Sequence, residues 1–198
     1  MIRAALFAAA LTLPAAAHAQ STEKAIFAGG CFWCVESDFD KVDGVTATVS
    51  GYTGGENDNP TYQDHSRFNH REAVEITFDP SRVSYEDLLR IFFRSVDPPD
   101  DGGQFCDRGF SYTTAIYALD AGQRAAAEAA KAEADGVLDD PVVTPIEAAA
   151  TFWPAEDYHQ DYYTKNPVRY SFYRNGCGRD RRIEEVWGDQ AMQGIKGS

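Results

Sequence analysis

Cys31, Cys34, Cys106 and Cys177 hold most of the covalent chemistry open to this chain. Cys31 has the most informative surroundings. It stands in Gly29-Gly30-Cys31-Phe32-Trp33-Cys34-Val35-Glu36, after the apolar run Ala25-Ile26-Phe27-Ala28. Val35 and Phe39 follow at helical spacing. A strand therefore hands over to a helix through a glycine turn, and Cys31 lies at the junction. The first N–H groups of a helix are unpaired and partly positive. They stabilise a thiolate, lowering a cysteine pKa from its free value of roughly 8.5. Cys31 reads as a nucleophile. Most lone cysteines are core residues, however, and Cys-x-x-Cys occurs in redox, metal and accidental settings, so the spacing does not decide the chemistry.

The elements that must position this turn follow from periodicity. Residues 25–28 read as a strand, 32–42 as a helix and 46–50 as a second strand. Gly51-Tyr52-Thr53-Gly54-Gly55 and the polar residues to Pro60 read as a long loop. Residues 73–78 alternate as a half-buried strand with Glu72 at its start. Ser84-Tyr85-Glu86-Asp87 has the form of a helix cap, and Leu88, Leu89, Phe92 and Phe93 give that helix an apolar face. A strand over 113–119 and an Ala/Glu-rich surface helix over 121–134 come next. Residues 142–146 read as an edge strand because of Pro145. Strands interleave with helices without repeat or interior linker, which predicts one α+β domain.

The composition is globular, with 43% hydrophobic and 13% aromatic residues over 198 positions. A net charge of -13 excludes nucleic acid as a partner, because its phosphates would be repelled. Arg3, an apolar stretch from Ala4 to Ala16 and Ala17-His18-Ala19 have the form of a signal peptide over residues 1–19, leaving a mature domain over 20–198. The expected location is periplasmic or secreted. An oxidising compartment permits disulfides, and four cysteines allow three complete pairings.

The series Gly30-Cys31-Phe32-Trp33, Gly51-Tyr52-Thr53-Gly54-Gly55, Asn59-Pro60-Thr61-Tyr62, His70-Arg71-Glu72-Ala73-Val74, Asp107-Arg108-Gly109 with Tyr112, and Ala155-Glu156-Asp157-Tyr158-His159-Gln160 resembles the A-type peptide methionine sulfoxide reductases. The resemblance spans roughly residues 24–188, and several motifs in order are more specific than any one. It implies a ferredoxin-like βαβ sandwich core with elaborations. It also implies reduction of methionine S-sulfoxide, free or in oxidised proteins, with no cofactor or metal. Glu72 matches the family's acid, Tyr62 and Tyr112 its oxygen-binding tyrosines, and Asp107 its Asp-Arg-Gly aspartate. Phe32 and Trp33 match the walls around the substrate methyl group. Taken singly, each of these side chains would be a solvated charge, a turn residue or ordinary packing. His159 is left between a structural hydrogen bond and a site role.

Oxygen transfer leaves Cys31 as a sulfenic acid, which condenses with a second thiol. The disulfide is then reduced by exchange with a thioredoxin-like donor. Cys34 and Cys177 are the two resolving residues to weigh. Cys34 departs from the commoner family glycine. Cys177 lies in Asn175-Gly176-Cys177-Gly178, a glycine-rich tail able to swing to Cys31 as in many relatives, and is favoured. Cys106 is a second departure; it could bridge to Cys177 or to Cys34. The chain is expected to act as a monomer. Three other readings compete: a dithiol–disulfide oxidoreductase using Cys31 and Cys34, a zinc module and an exported binding protein stapled by disulfides. The first leaves Glu72 and Tyr62 unexplained, the second lacks a second close cysteine pair, and the third requires an oxidised, inert Cys31.

Overall fold

The computed structural model describes residues 21–197; the expected signal peptide lies outside them. The first strand, β1 (Glu23–Gly29), lies inside a six-stranded sheet. Helix α1 (Phe32–Phe39) leads to β2 (Val45–Thr53), and β3 (Arg71–Phe78) lies between β1 and β2, antiparallel to both. That is a split βαβ unit. Helix α2 (Tyr85–Phe93) follows, then a two-residue hairpin pair, β4 (Gly103–Gln104) and β5 (Asp107–Arg108). Strand β6 (Thr114–Ala118) returns antiparallel to β1 on its other side. Helix α3 (Ala121–Asp135) carries the chain to β7 (Ile146–Ala148), parallel to β6. The sheet closes with β8 (Trp153–Pro154) on the far edge of β2. Its order is β7-β6-β1-β3-β2-β8, which contains the ferredoxin-like arrangement expected.

The unbroken apolar run Ala25-Ile26-Phe27-Ala28 is explained by burial on both faces of β1. Ala25 and Phe27 join the main core, whereas Ile26 and Ala28 join a second cluster with Ala73, Ala115 and Tyr117. In the main core Phe27 meets Phe39 of α1 at 5.6 Å and Phe92 of α2 at 4.9 Å between ring centroids. Both helices are thereby fixed to one side of the sheet. Helix α2 begins at a complete capping box: the Ser84 hydroxyl accepts from Asp87 N, and the Asp87 carboxylate accepts from Ser84 N.

Three expectations shift. Gly51, Tyr52 and Thr53 belong to β2, because β3 extends to Arg71 and pairs with them. The edge strand starts at Ile146, after Pro145 and not across it, since proline lacks the N–H that a ladder needs. The glycine-rich tail is helical. Helix α5 (Pro167–Cys177) follows a short α4 (Tyr162–Lys165), and Gly178, at φ +68, turns the chain into α6 (Arg179–Trp187). Ile183, Trp187, Met192 and Ile195 beyond it are buried in the main core. Among the described residues, no helix is long and apolar enough to cross a membrane.

Candidate active site

Cys31 is the N-cap of α1, with its carbonyl accepting from Cys34 N at 3.1 Å and Val35 N at 3.3 Å. Gly30 makes this possible. Its φ is +85, and a Cβ there would lie 2.6 Å from Cβ of Gln104. Gln104 cannot give way easily, because its amide exchanges two hydrogen bonds with the backbone of Asp97. The turn therefore requires glycine both for conformation and for space.

Strand β3 delivers Glu72 directly to this turn. Its Oε2 accepts from Phe32 N, the first residue of α1, at 2.9 Å. The side chain is 2% exposed. Burial pushes its carboxyl up to about 8; the Phe32 N–H opposes the shift, while Asp107 and Cys34 add to it. His65 Nε2 lies 3.8 Å from Glu72 Oε1, but burial lowers the His65 pKa, so no imidazolium holds the carboxylate charged. Glu72 is an acid carrying its proton at neutral pH.

Phe32, Trp33, Tyr62, Asp107 and Tyr112 join Cys31 and Glu72 around one cleft, so every expected catalytic and wall residue converges. Tyr62 is 40% exposed, and its backbone N–H donates to Glu156 at 3.0 Å. Burial and Glu72 push both phenols, Tyr62 and Tyr112, above their ordinary range, which keeps them as O–H donors. Trp33 is set by His159 and Tyr162: its indole N–H donates to His159 Nδ1 at 3.0 Å, and its ring stacks on Tyr162 at 3.8 Å. That leaves Nε2 as the proton-carrying nitrogen of His159, 4.0 Å from Glu156, and gives His159 a hydrogen bond that orients Trp33.

The cysteines divide into two pairs. Cys106 and Cys177 form a disulfide, one of the pairings left open by the sequence, and Cys31 and Cys34 are free and buried. Cys177, expected on a swinging tail, ends a helix and is covalently held. Cys106 and Cys177 also approach Asp107 closely enough to suggest a metal cluster, but sulfurs bonded to each other are not thiolate ligands.

The charge state of the free pair departs from the helix-terminus argument. Burial pushes the Cys31 thiol up, and Cys34 and Glu72 push it further, so it rests protonated. Cys34 is shifted down because it accepts a hydrogen bond from Cys31 and faces Arg179 and Arg174. Arg179 is buried, donating to the carbonyls of Gly29 at 3.0 Å and Ser95 at 2.8 Å. Arg174 is fixed by Asp38 at 2.7 Å and by Asp180.

Sequence reasoning missed these two arginines and Tyr173. The Tyr173 hydroxyl donates to Asp107, its ring stands edge-on to Trp33, and it lines the cleft. One signal was available: Tyr173 and Cys177 are four apart, hence on one face of a helix.

A buried nucleophilic thiol facing a protonated carboxyl is suited to attacking a centre whose oxygen must leave with a proton. On this fold it defines a thiol-dependent reductase. Comparisons with known proteins identify which. The family model described as peptide methionine sulfoxide reductase matches residues 23–191. The "Peptide methionine sulfoxide reductase MsrA 2" of Rhizobium meliloti (strain 1021) is 58% identical over 185 residues, 93% of this chain and 92% of that one. The solved methionine sulfoxide reductase A of Corynebacterium diphtheriae has a TM-score of 0.70 at 31% identity, covering 74% of this chain and 76% of its own. Mxr1 of Saccharomyces cerevisiae, solved in complex with Trx2, shares the fold at TM-score 0.52 and 21% identity, over 71% and 84% of the two chains. The chain belongs to the peptide methionine sulfoxide reductase family.

Proposed function

We propose that this protein reduces methionine S-sulfoxide, free or within proteins, with Cys31 as nucleophile, Glu72 as acid and Cys34 as resolving thiol. Membership of the family supplies the reaction. The protonated, buried Glu72 beside Cys31 carries the assignment of roles.

The substrate methyl group packs against Phe32 and Trp33, and its oxygen accepts from the Tyr62 and Tyr112 hydroxyls and from Glu72. The Cys31 thiolate attacks sulfur while Glu72 protonates the oxygen. Methionine leaves, and Cys31 holds the hydroxyl as a sulfenic acid. Cys34, one helical turn away and shifted toward the thiolate, attacks the Cys31 sulfur. A Cys31–Cys34 disulfide forms and water is released. Cys34 is preferred to Cys177 because Cys177 is already bonded to Cys106. A thioredoxin-like dithiol then restores both thiols by exchange. The chain acts as a monomer, since one copy contributes all the residues named, and a size-exclusion profile tests that.

We place the mature protein in the periplasm or outside the cell. The leader-like residues 1–19 and a disulfide between a surface cysteine and a helix end support this. The mass of the protein in each cell fraction checks it: a chain retaining residues 1–19 in the cytoplasm would refute export.

The deciding assay presents S and R epimers of a methionine sulfoxide peptide separately, with dithiothreitol as reductant. Turnover of S alone, lost in Cys31→Ser, is expected; no turnover by folded, reduced protein would overturn the proposal. With dithiothreitol omitted, because that thiol would itself reduce a sulfenic acid, Cys34→Ser should still make about one methionine per chain, with a sulfenic acid in place of a Cys31–Cys34 disulfide. Continued turnover of Cys34→Ser with a thioredoxin would instead assign resolution to another cysteine.

A further inference from the structure

The reaction needs Cys31 as a thiolate, and the pocket keeps it as a thiol. Something must take that proton: Cys34 accepts a hydrogen bond from Cys31, but a proton left there would block its own attack in the resolving step, and no histidine is placed to take it among the described residues. His65 faces Glu72, His70 is bonded to Gly55 and Asn57, and His159 accepts from Trp33. Glu72 is protonated and serves the oxygen.

Tyr173 stands on the remaining side. It packs against the Cys31–Cys34 cluster from α5 and lines the cleft. Its side chain lies beside Cys31 in the cleft, where it pulls the Cys31 pKa down, and its hydroxyl donates to the Asp107 carboxylate. The helix carrying it is tied down four residues later by the Cys106–Cys177 bridge, whose other end is the neighbour of Asp107. The same two segments are thus joined twice, by a covalent bond and by the Tyr173–Asp107 hydrogen bond.

We infer that Tyr173 is a third catalytic tyrosine, a proton relay between the Cys31 sulfur and the Asp107 carboxylate. The inference rests on the reading of Cys31 as nucleophile. In the forward step Cys31 S–H gives its proton to the Tyr173 oxygen as Tyr173 gives its own to Asp107. A thiolate, an intact phenol and a neutral carboxylic acid result. In the resolving step the flow reverses. As Cys34 attacks the sulfenic acid, Tyr173 protonates the departing hydroxide and regains a proton from Asp107, so water leaves and Asp107 returns to its carboxylate. Partial burial of Asp107 raises its pKa, which helps it accept. The bridge acts as the clamp that keeps the relay aligned.

The groups facing Cys31 are Cys34 from α1, Glu72 from β3, Asp107 from β5, Tyr173 from α5, and the phenols of Tyr62 and Tyr112. Arg179 acts on Cys34 and Asp107. A pH profile must therefore be read by difference between variants.

The test measures single-turnover methionine formation at saturating substrate, with reductant omitted after Cys31 and Cys34 are reduced. Tyr173→Phe should slow it by about 10²-fold, the lower range for loss of a proton-transfer group, with little change in the substrate concentration giving half-maximal rate. Asp107→Asn should slow it similarly, and the double variant should be no slower than the worse single one, as for residues acting as a unit. Iodoacetamide labelling of Cys31, read by peptide mass across pH, should lose the same component in both single variants. Two alkylatable thiols per unfolded, unreduced chain would show that the bridge survives. A Tyr173→Phe rate within about twofold of the parent, or losses that multiply in the double variant, would overturn the relay while leaving Cys31 as nucleophile. If Tyr173→Phe fails to fold, Asp107→Asn decides alone: an unchanged single-turnover rate and Cys31 labelling profile overturn it. Loss of the parent reaction in neither Cys31→Ser nor Tyr173→Phe would instead remove the underlying reading.

Discussion

Glu72 owes its acidity to its surroundings. A carboxyl on an exposed strand end titrates near 4.3, whereas burial beneath α1 raises this one to about 8. The sign for catalysis follows directly. Below that value Glu72 holds the proton that the proposed mechanism gives to the sulfoxide oxygen; above it the donor is lost. The single-turnover rate should therefore fall as pH rises through about 8, as stopped reactions at a series of pH values would show. Glu72→Gln should lower the rate by about 10²–10⁴-fold and abolish that alkaline limb. A variant keeping the limb would assign it to another group. The residue's identity was visible in His70-Arg71-Glu72-Ala73-Val74, but its charge state was not. That depends on burial beneath α1, whose first residue lies forty positions away, outweighing the N–H that Phe32 donates to the carboxylate. The same holds for Cys31: its place at the helix start was readable, while burial, which outweighs the helix terminus, was not.

At the scale of elements, local patterns were readable wherever a local cause produced them. Ser84 and Asp87 announced a capping box, and the box is present. Ser84→Ala should destabilise the fold by about 1 kcal/mol in chemical denaturation. The alternation after Glu72 marked β3 because Val74, Ile76 and Phe78 face the main core. The C-terminal elements were not readable in this way. Helix α5 has one buried residue, Tyr170, so no apolar stripe identifies it. It is held instead by Arg174, Tyr173 and the disulfide, contacts between residues far apart in sequence. Arg179 shows the same dependence, joining α6 to the carbonyls of Gly29 and Ser95 and to Asp38. Arg179→Ala leaves those groups without their partner inside the protein. It should cost about 3–5 kcal/mol, measurable as a lowered denaturation midpoint. A loss below about 1 kcal/mol would mean that water replaces the guanidinium.

For the molecule as a whole, the Cys106–Cys177 bond closes a 71-residue separation. Cross-links of that span restrict the unfolded chain and contribute roughly 2–4 kcal/mol. Replacing both cysteines by serine should lower stability by that order under non-reducing conditions. Unchanged unfolding curves would show that the bridge orders the site without stabilising the fold. The sheet has a further consequence, set by its margins. Its outermost strands are Trp153–Pro154 and Ile146–Ala148, two and three residues long, and one of them contains a proline. Those two strands offer a neighbouring chain little backbone to pair with, but β8 covers only Gly51 and Tyr52, so among the described residues the outer edge of β2 over residues 45–49 has no strand partner. The ladder of β1 against β3 is enclosed within the sheet, whereas β2 is covered only near its C-terminal end. Edge-to-edge assembly in concentrated solutions of the folded protein should therefore start along residues 45–49 of β2 and not at β7 or β8.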